Sequence, residues 1–277
     1  MLSTITIKNR VSIGIVGFGA FGRLMARHLA PFFALRAYDP RLSAGGAGDI
    51  SPVVSCTLRE VAQCGIVIIA TPAAAIESVV KALAPHLRPA TLVLDVGSVK
   101  VAPAEIMRRH LPEHVDIVAT HPLFGPESAK NGIRGLKIAV CPLRGRRGPE
   151  VGAFLKKCLG LDVLFAAAED HDSEVAFVQG LTHVIGRLLG DFELSPMRFT
   201  TRSFELLLEA TDLVRHDAPE VVDAILGANP YVQEVRQQFF RAASRLEAEL
   251  TQRHRGGAFS RDRAAAEHDT PPSEPAR

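Results

Sequence analysis

Short apolar runs alternate with helical patterns through the first 165 residues of the chain. The runs are four to six residues long and are VSIGIV (11–16), ALRAY (34–38), GIVIIA (65–70), TLVLDV (91–96), DIVA (116–119), KIAVC (137–141) and LDVLF (161–165). Continuous apolar strands separated by helices are typical of a parallel sheet that is covered by helices on both faces. The pattern therefore predicts a doubly wound α/β domain over residues 1–166.

The pattern changes to helical spacing alone after residue 166. Apolar stripes recur at three- and four-residue steps, as in Phe177, Leu181, Val184 and Leu188. Such a stripe must pack on something, so we expect a smaller all-helical domain over 167–252 that docks on the first domain or on a second subunit. The polar, proline-rich residues 253–277 are expected to form a disordered tail.

The composition limits the class of partner. Hydrophobic residues make up 47% of the chain, charged residues 22%, and the net charge is +2. This balance argues against nucleic-acid and membrane partners, and no apolar run is long enough to span a bilayer. The four cysteines show neither metal-ligand nor redox spacing, so we expect no metal site and free thiols in a reducing cytoplasm.

A glycine-rich loop follows the first predicted strand. VSIGIVGFGAFGRLMARHLA places Gly17, Gly19 and Gly22 in a GxGxxG frame between a strand and a helix, which is the context that a Rossmann dinucleotide site requires. Gly17 permits the tight turn, Gly19 lets the backbone approach a pyrophosphate, and Gly22 allows close packing of helix on strand. The helix N-terminus offers free N–H groups to phosphates, and the candidate loop also includes Phe18, Ala20 and Phe21.

Residues at later strand ends complete the predicted cofactor site. Asp39 follows the second strand, where a carboxylate would bind a ribose 2′-hydroxyl and repel a 2′-phosphate, so NAD is favoured over NADP. Arg41 is close enough to weaken that preference. Thr71 and Pro72 end a further strand and are candidates to line the nicotinamide side, although a simple strand-ending turn explains either residue equally well.

A histidine stands at the mouth of a strand in ATHPLFGPESAKNGIRG. His121 follows one predicted strand, while Ser98 and Lys100 follow the strand before it in DVGSVK. If the two strands are neighbours, these side chains reach one crevice beside the nicotinamide. An imidazole there can take a proton from a substrate hydroxyl as hydride leaves the same carbon. Three further histidines, His28, His86 and His171, are expected to be surface or capping residues.

The combination of GFGAFG, DVGSVK and THPLFGPESAKNG resembles the prephenate/arogenate dehydrogenase family of tyrosine biosynthesis, especially its plant-type arogenate dehydrogenases. In the helical half, Gln179-Gly-Leu-Thr-His183 is similar to a Gln-x-x-x-His helix of the family. FTTRSFELL (199–207) resembles the segment that carries a substrate-binding basic residue. The similarity extends to about residue 250.

The resemblance implies an NAD(P)-dependent oxidative decarboxylation of a cyclohexadienol, either prephenate or arogenate. His121 would act on the ring hydroxyl and Ser98 would assist it. Gln179, His183, Arg202 and Lys100 would bind substrate, Arg202 as the anchor of a carboxylate. Alternatives are Arg198 as that anchor, a core role for His183, and a solvated helix start for Lys100. The family also implies a homodimer through the helical domain.

Other functions fit parts of the pattern. A β-hydroxyacid dehydrogenase shares the two-domain plan, but it would centre catalysis on a helical-domain lysine, and residues 166–215 contain none. An aminodeoxyprephenate dehydrogenase would share most motifs. A non-catalytic dinucleotide sensor would keep the glycines and Asp39 without needing His121 and Ser98 together.

Overall fold

The computed structural model describes residues 11–42, 53–192 and 197–266. Within these ranges, contacts divide the chain into two compact units, Met1–Gln233 and Glu234–Arg277. The first unit holds the sheet together with the helices that follow it. The second consists of the greater part of the last helix.

An eight-stranded sheet in the order β3-β2-β1-β4-β5-β6-β7-β8 forms the centre of the first unit. Strands β1 to β6 run parallel, whereas β7 pairs antiparallel with β6 and parallel with β8. This confirms the doubly wound, parallel-dominated architecture. The strands are β1 Ser12–Val16, β2 Ala34–Tyr38, β3 Val53–Ser55, β4 Ile66–Ile69, β5 Leu92–Asp95, β6 Asp116–Pro122, β7 Lys137–Arg144 and β8 Asp162–Phe165.

Helices cover both faces of the sheet. Helices α2, α3 and α4 pack on one face around Val80, Leu83 and Met107, and helices α1 and α5 cover the other, where Ala26 and Leu29 contact the strands. The helices around the sheet are α1 Ala20–Leu29, α2 Leu58–Ala62, α3 Ile76–Leu83, α4 Val101–His110 and α5 Gly148–Lys157. Since the central strands β1, β4, β5 and β6 are buried on both sides, their sequences are continuous apolar runs.

Two features of the sheet differ from the predicted sheet of parallel strands. Strand β3 has only three residues, which is too short to give a recognisable apolar run. Strand β7 follows β6 through a connection that reverses the chain, and His121 of β6 pairs with Ala139 of β7. The antiparallel partner extends β6 to Pro122, so His121 lies inside the strand and not just beyond its end.

The segment after the sheet is helical throughout its described part. Its helices are α6 Ala168–Val175, α7 Thr182–Gly190, α8 Arg202–Arg215, α9 Pro219–Asp223 and α10 Val232–Ala266, with π-helical segments at Ala176–Leu181 and Ala224–Ala228. Helix α10 continues to Ala266, so residues 253–266 are helical where the sequence analysis expects a disordered tail. The remainder of that tail lies outside the described residues. No helix in the described ranges is both long and apolar enough to cross a bilayer.

Close packing at Gly22 generates a stability prediction. A methyl group on Gly22 would lie 2.5 Å from the carbonyl oxygen of Gly17, whereas one on Gly190, also helical, would meet nothing within 4 Å. We expect Gly22→Ala to lower the free energy of unfolding by about 1–3 kcal/mol through overpacking. The matched Gly190→Ala should be neutral or stabilising by up to about 1 kcal/mol. Urea unfolding measures both, and equal effects of the two substitutions would contradict this packing.

Candidate active site

The glycine loop connects β1 to α1 at the carboxyl edge of the sheet. Gly17 has φ +93°, and a side chain there would collide with the Ala70 carbonyl at 2.5 Å, so the position requires glycine. Helix α1 begins at Ala20, with Gly19 as its N-cap. The space above Gly19 is open except for the Arg41 guanidinium at 3.7 Å. This open surface at a helix N-terminus suits the close approach of a pyrophosphate.

Asp39 is held in place at the end of β2. Its carboxylate accepts hydrogen bonds from the Phe18 backbone N–H at 2.8 Å and from the Arg41 backbone N–H at 2.9 Å. The Arg41 side chain adds an ion pair at 3.0 Å and is itself largely exposed. The Arg41 guanidinium, helped by these N–H groups, holds the pKa of Asp39 well below its usual range. A fixed carboxylate therefore lies beside the glycine loop.

The other predicted cofactor residues fall into two groups. Phe18 is buried and Phe21 packs near Phe124, so these two side chains support the loop from the protein side. Ala20 is exposed at the start of α1. Thr71 and exposed Pro72 follow β4, the strand next to β1. The Thr71 hydroxyl is buried without a hydrogen-bond partner among the described residues. An unsatisfied hydroxyl at this strand end fits a polar ligand group.

His121 lies one strand away from Ser98. Strands β5 and β6 pair in parallel, with Asp95 opposite Ala119, so the condition for a shared crevice is met. The imidazole of His121 is 2% exposed, and Ser98 is half-buried just past the end of β5. Among the described residues, the hydrogen-bond partners of the His121 side chain are His171 and Gln179, not Ser98.

The polar environment of His121 comes from the helical half. His121 Nδ1 lies 2.9 Å from His171 Nε2, and the two rings pack edge to face. Its Nε2 lies 3.5 Å from Gln179 Nε2, and the Gln179 side-chain oxygen is buried without a partner. His171 is 5% exposed, so its prediction as a surface or capping residue is wrong. The sequence contains a signal for this burial. His171, Val175 and Gln179 recur at four-residue steps, the spacing of one helix face, and His171 and Val175 are buried.

The sequence predicts that Lys100 binds substrate, but the structure gives its side chain other partners. Its side chain is fully buried, where its ammonium group pairs with Asp95 and donates to the Thr120 carbonyl oxygen at 2.6 Å. Thr120 in turn donates through its hydroxyl to the Asp95 carbonyl oxygen at 2.6 Å. These contacts occupy the ammonium group beneath the site. To break them would leave an unpaired buried charge, which is energetically very costly. Lys100 is therefore part of the support of β5 and β6 and not a solvated helix start.

His183 and Arg202 also have partners within the helical half. His183 is 6% exposed; its Nδ1 lies 2.8 Å from the Gln179 carbonyl oxygen and its Nε2 lies 3.0 Å from Asp217. This arrangement matches the alternative of a satisfied core histidine. Arg202 starts α8 and forms exposed ion pairs with Glu205 and Glu209. The structure thus brings Gln179, but neither His183 nor Arg202, into hydrogen-bond contact with His121.

Two family models match the chain. A prephenate dehydrogenase nucleotide-binding domain matches residues 43–142, and a prephenate dehydrogenase dimerization domain matches residues 167–260. The chain belongs to the prephenate dehydrogenase family. His121 lies within the first match, and His171 and Gln179 lie within the second. The glycine loop and Asp39 precede the first match.

Curated relatives and a solved structure agree with this family. The chain is 29% identical over 255 residues to arogenate dehydrogenase 1, chloroplastic, of Arabidopsis thaliana, covering 87% of this chain and 39% of the relative. It is 30% identical over 214 residues to a probable arogenate/prephenate dehydrogenase of Methanocaldococcus jannaschii, covering 73% of this chain and 47% of the relative. The chain thus spans less than half the length of these two relatives.

The fold matches prephenate dehydrogenase from A. aeolicus, solved with hydroxyphenyl propionate and NAD+. The TM-score is 0.70 at 18% identity, and the alignment covers 93% of this chain and 96% of the other. At this identity the likeness supports the fold of both halves together. It covers the sheet and the helical segment in one alignment.

The buried position of His121 predicts an unusual pH profile. Burial, reinforced by the nearby His171 and the Lys100 charge, lowers the pKa of His121 well below its usual value of 6.5. Only the neutral imidazole accepts a proton, so kcat/KM, which reports the free enzyme, should hold its plateau as the pH falls past 6.5. A pH–rate profile measures this, with circular dichroism at each pH as the control for folding. An acid limb centred at or above pH 6.5 would contradict the assignment.

Proposed function

We propose that the protein is a nicotinamide-dependent dehydrogenase that oxidises and decarboxylates a cyclohexadienol of the prephenate or arogenate type. The observation that carries the proposal is the buried imidazole of His121, set in the strand next to Ser98 and near the carboxyl edge that holds the glycine loop. The family membership adds the substrate class, since the relatives are named as arogenate and prephenate dehydrogenases.

The chemistry assigns two proton transfers to His121, one from the substrate and one back to the product. A nicotinamide cofactor held at the glycine loop would supply the hydride acceptor for the ring carbon that bears the hydroxyl. His121 takes the hydroxyl proton as the carbonyl forms, and the bond from the ring to its carboxylate then breaks to release carbon dioxide. The electron pair of that bond makes the ring aromatic, and His121 returns its proton to the phenolic oxygen. Overall, one substrate and one oxidised cofactor give one phenol, one carbon dioxide and one reduced cofactor.

Other residues bind and orient in this scheme. The Gln179 amide nitrogen lies 3.5 Å from His121 Nε2, where its N–H group can donate to the substrate hydroxyl oxygen while the hydroxyl hydrogen goes to His121. Ser98, half-buried past β5, contacts the same hydroxyl. Arg202 anchors a substrate carboxylate; its two ion pairs are solvent-exposed and weak, so a bidentate carboxylate can displace them. Lys100 takes no part in substrate binding.

The cofactor fits the observed loop. Gly19 leaves room for the pyrophosphate, whereas Gly17 and Gly22 permit the tight turn and the close packing that support the loop. The unpartnered Thr71 hydroxyl near Pro72 is available to a further polar group of the cofactor. We assign NAD as the preferred cofactor, because the Asp39 carboxylate suits a ribose hydroxyl and repels a 2′-phosphate. The exposed Arg41 guanidinium, paired with Asp39, moderates that repulsion and leaves NADP as the weaker alternative.

The proposed assembly is a cytoplasmic homodimer that buries the helical half. Large apolar side chains stand exposed on its helices, including Phe177 at 53%, Val178 at 66% and Leu213 at 56%. Such a surface marks an interaction site, and the matching family model is described as a dimerization domain. Sedimentation equilibrium at micromolar concentration tests the proposal, and a monomer under those conditions would refute it.

The activity is tested by reduced-cofactor formation with prephenate and arogenate, each offered with NAD and with NADP. We expect turnover of at least one ring acid, faster with NAD. His121→Asn should lower kcat by about 10²–10⁴-fold, the range of general base catalysis, while NAD affinity stays unchanged. The matched control His86→Asn changes a histidine that lies outside the site and should retain wild-type turnover.

Two results would overturn the proposal. Absence of turnover in all four combinations by a protein that still binds NAD would exclude this substrate class. Wild-type turnover by His121→Asn would remove His121 from its role as the base.

A further inference from the structure

A chain of three side chains leads from His121 into the helical half. His171 Nε2 faces His121 Nδ1 at 2.9 Å, and His171 Nδ1 faces the Asp172 carboxylate at 2.8 Å. His121 and His171 are nearly buried, and Asp172 is fully so. Each of these hydrogen bonds is therefore shielded from water. In such a buried environment hydrogen bonds are strong and directional.

The donors along this chain can be assigned from its ends. A carboxylate oxygen only accepts, so His171 Nδ1 carries the hydrogen and donates to Asp172. In the neutral imidazole, His171 Nε2 then holds a lone pair and accepts from His121 Nδ1. His121 Nε2 is left without a hydrogen. It faces the Gln179 amide nitrogen at 3.5 Å, which only donates, so the opposite end of the chain gives the same assignment.

The charge nearby on Lys100 agrees with a neutral His121. The Lys100 ammonium group is close enough to lower the pKa of His121. This ammonium group forms an ion pair with Asp95.

Asp172 is fixed by more than His171. Its carboxylate accepts the backbone N–H groups of Lys100 and Val101 at 2.8 Å each, which caps the N-terminus of α4. Its carbonyl oxygen accepts from the Asn229 side chain at 2.8 Å. The carboxylate therefore has no freedom to rotate away from His171, and the assignment of hydrogens along the chain is built into the packing.

We propose that His171 and Asp172 are positioning residues that hold His121 in the Nδ1–H tautomer, so that its Nε2 lone pair faces the substrate hydroxyl. The catalytic part of this inference rests on the proposed function, whereas the tautomer itself does not. When Nε2 takes the substrate proton, the resulting imidazolium keeps its Nδ1–H bond to His171. Asp172 then stabilises the charge through His171 without itself taking a proton.

Two substitutions at position 171 separate positioning from packing. His171→Phe keeps a ring of similar shape but offers no acceptor to His121 Nδ1. His171→Gln offers its amide oxygen as an acceptor near the same place. Neither variant keeps the imidazole Nδ1–H group that faces Asp172, so a purely structural role would weaken both variants equally.

The first readout is the tautomer of His121, measured by nitrogen-15 NMR of the ligand-free protein with His121→Asn as the assignment control. We expect the Nδ1–H form in the wild type and in His171→Gln, and its loss in His171→Phe. The second readout is kcat, which should fall by about 10²-fold in His171→Phe, with the NAD dissociation constant unchanged, and recover at least tenfold in His171→Gln.

The outcomes distinguish this inference from the proposed function. A wild type that shows the Nε2–H tautomer, or equal kcat values for the two variants, would overturn the positioning role. A wild type with the Nδ1–H tautomer but no turnover of either ring acid would refute the proposed function and leave the tautomer assignment standing.

Discussion

The buried carboxylate of Asp172 is the interaction on which the site depends. It accepts hydrogen bonds from two backbone N–H groups at the start of α4 and from the Nδ1–H group of His171. The buried carboxylate oxygens are therefore satisfied. A carboxylate without such donors would be expelled from the interior or protonated. Because α4 follows β5 and α6 begins the helical half, this one group connects the two halves of the candidate site.

A second buried charge supports the strands beneath His121. The Lys100 ammonium pairs with Asp95 of β5 and donates to the carbonyl of Thr120, the residue before His121 on β6. Removal of either partner would leave an uncompensated charge in the core, which costs several kcal/mol, about 3–5 in comparable cases. The pair thus fixes the register between β5 and β6, and with it the position of His121 relative to Ser98.

The sequence predicts the parts of the site that depend on local order. Strand, glycine loop and helix are contiguous from Ser12 to Leu29, so their geometry follows from the spacing of Gly17, Gly19 and Gly22. His121 is predicted because its strand is apolar and adjacent in order to that of Ser98. The roles of Lys100 and His171 are not predicted correctly, since they depend on partners that the fold, not the spacing, provides. Lys100 and Asp172 are 72 residues apart, and no periodicity connects them.

We propose that oxidation and loss of carbon dioxide are one coupled reaction at His121. The most direct measurement is the ratio of carbon dioxide released to cofactor reduced, followed in the same reaction with a ring acid labelled at its ring carboxylate. The account predicts one carbon dioxide for each reduced cofactor throughout the time course, with both falling together in His121→Asn. Cofactor reduction without release of labelled carbon dioxide would contradict it and would place the protein among simple alcohol-oxidising dehydrogenases.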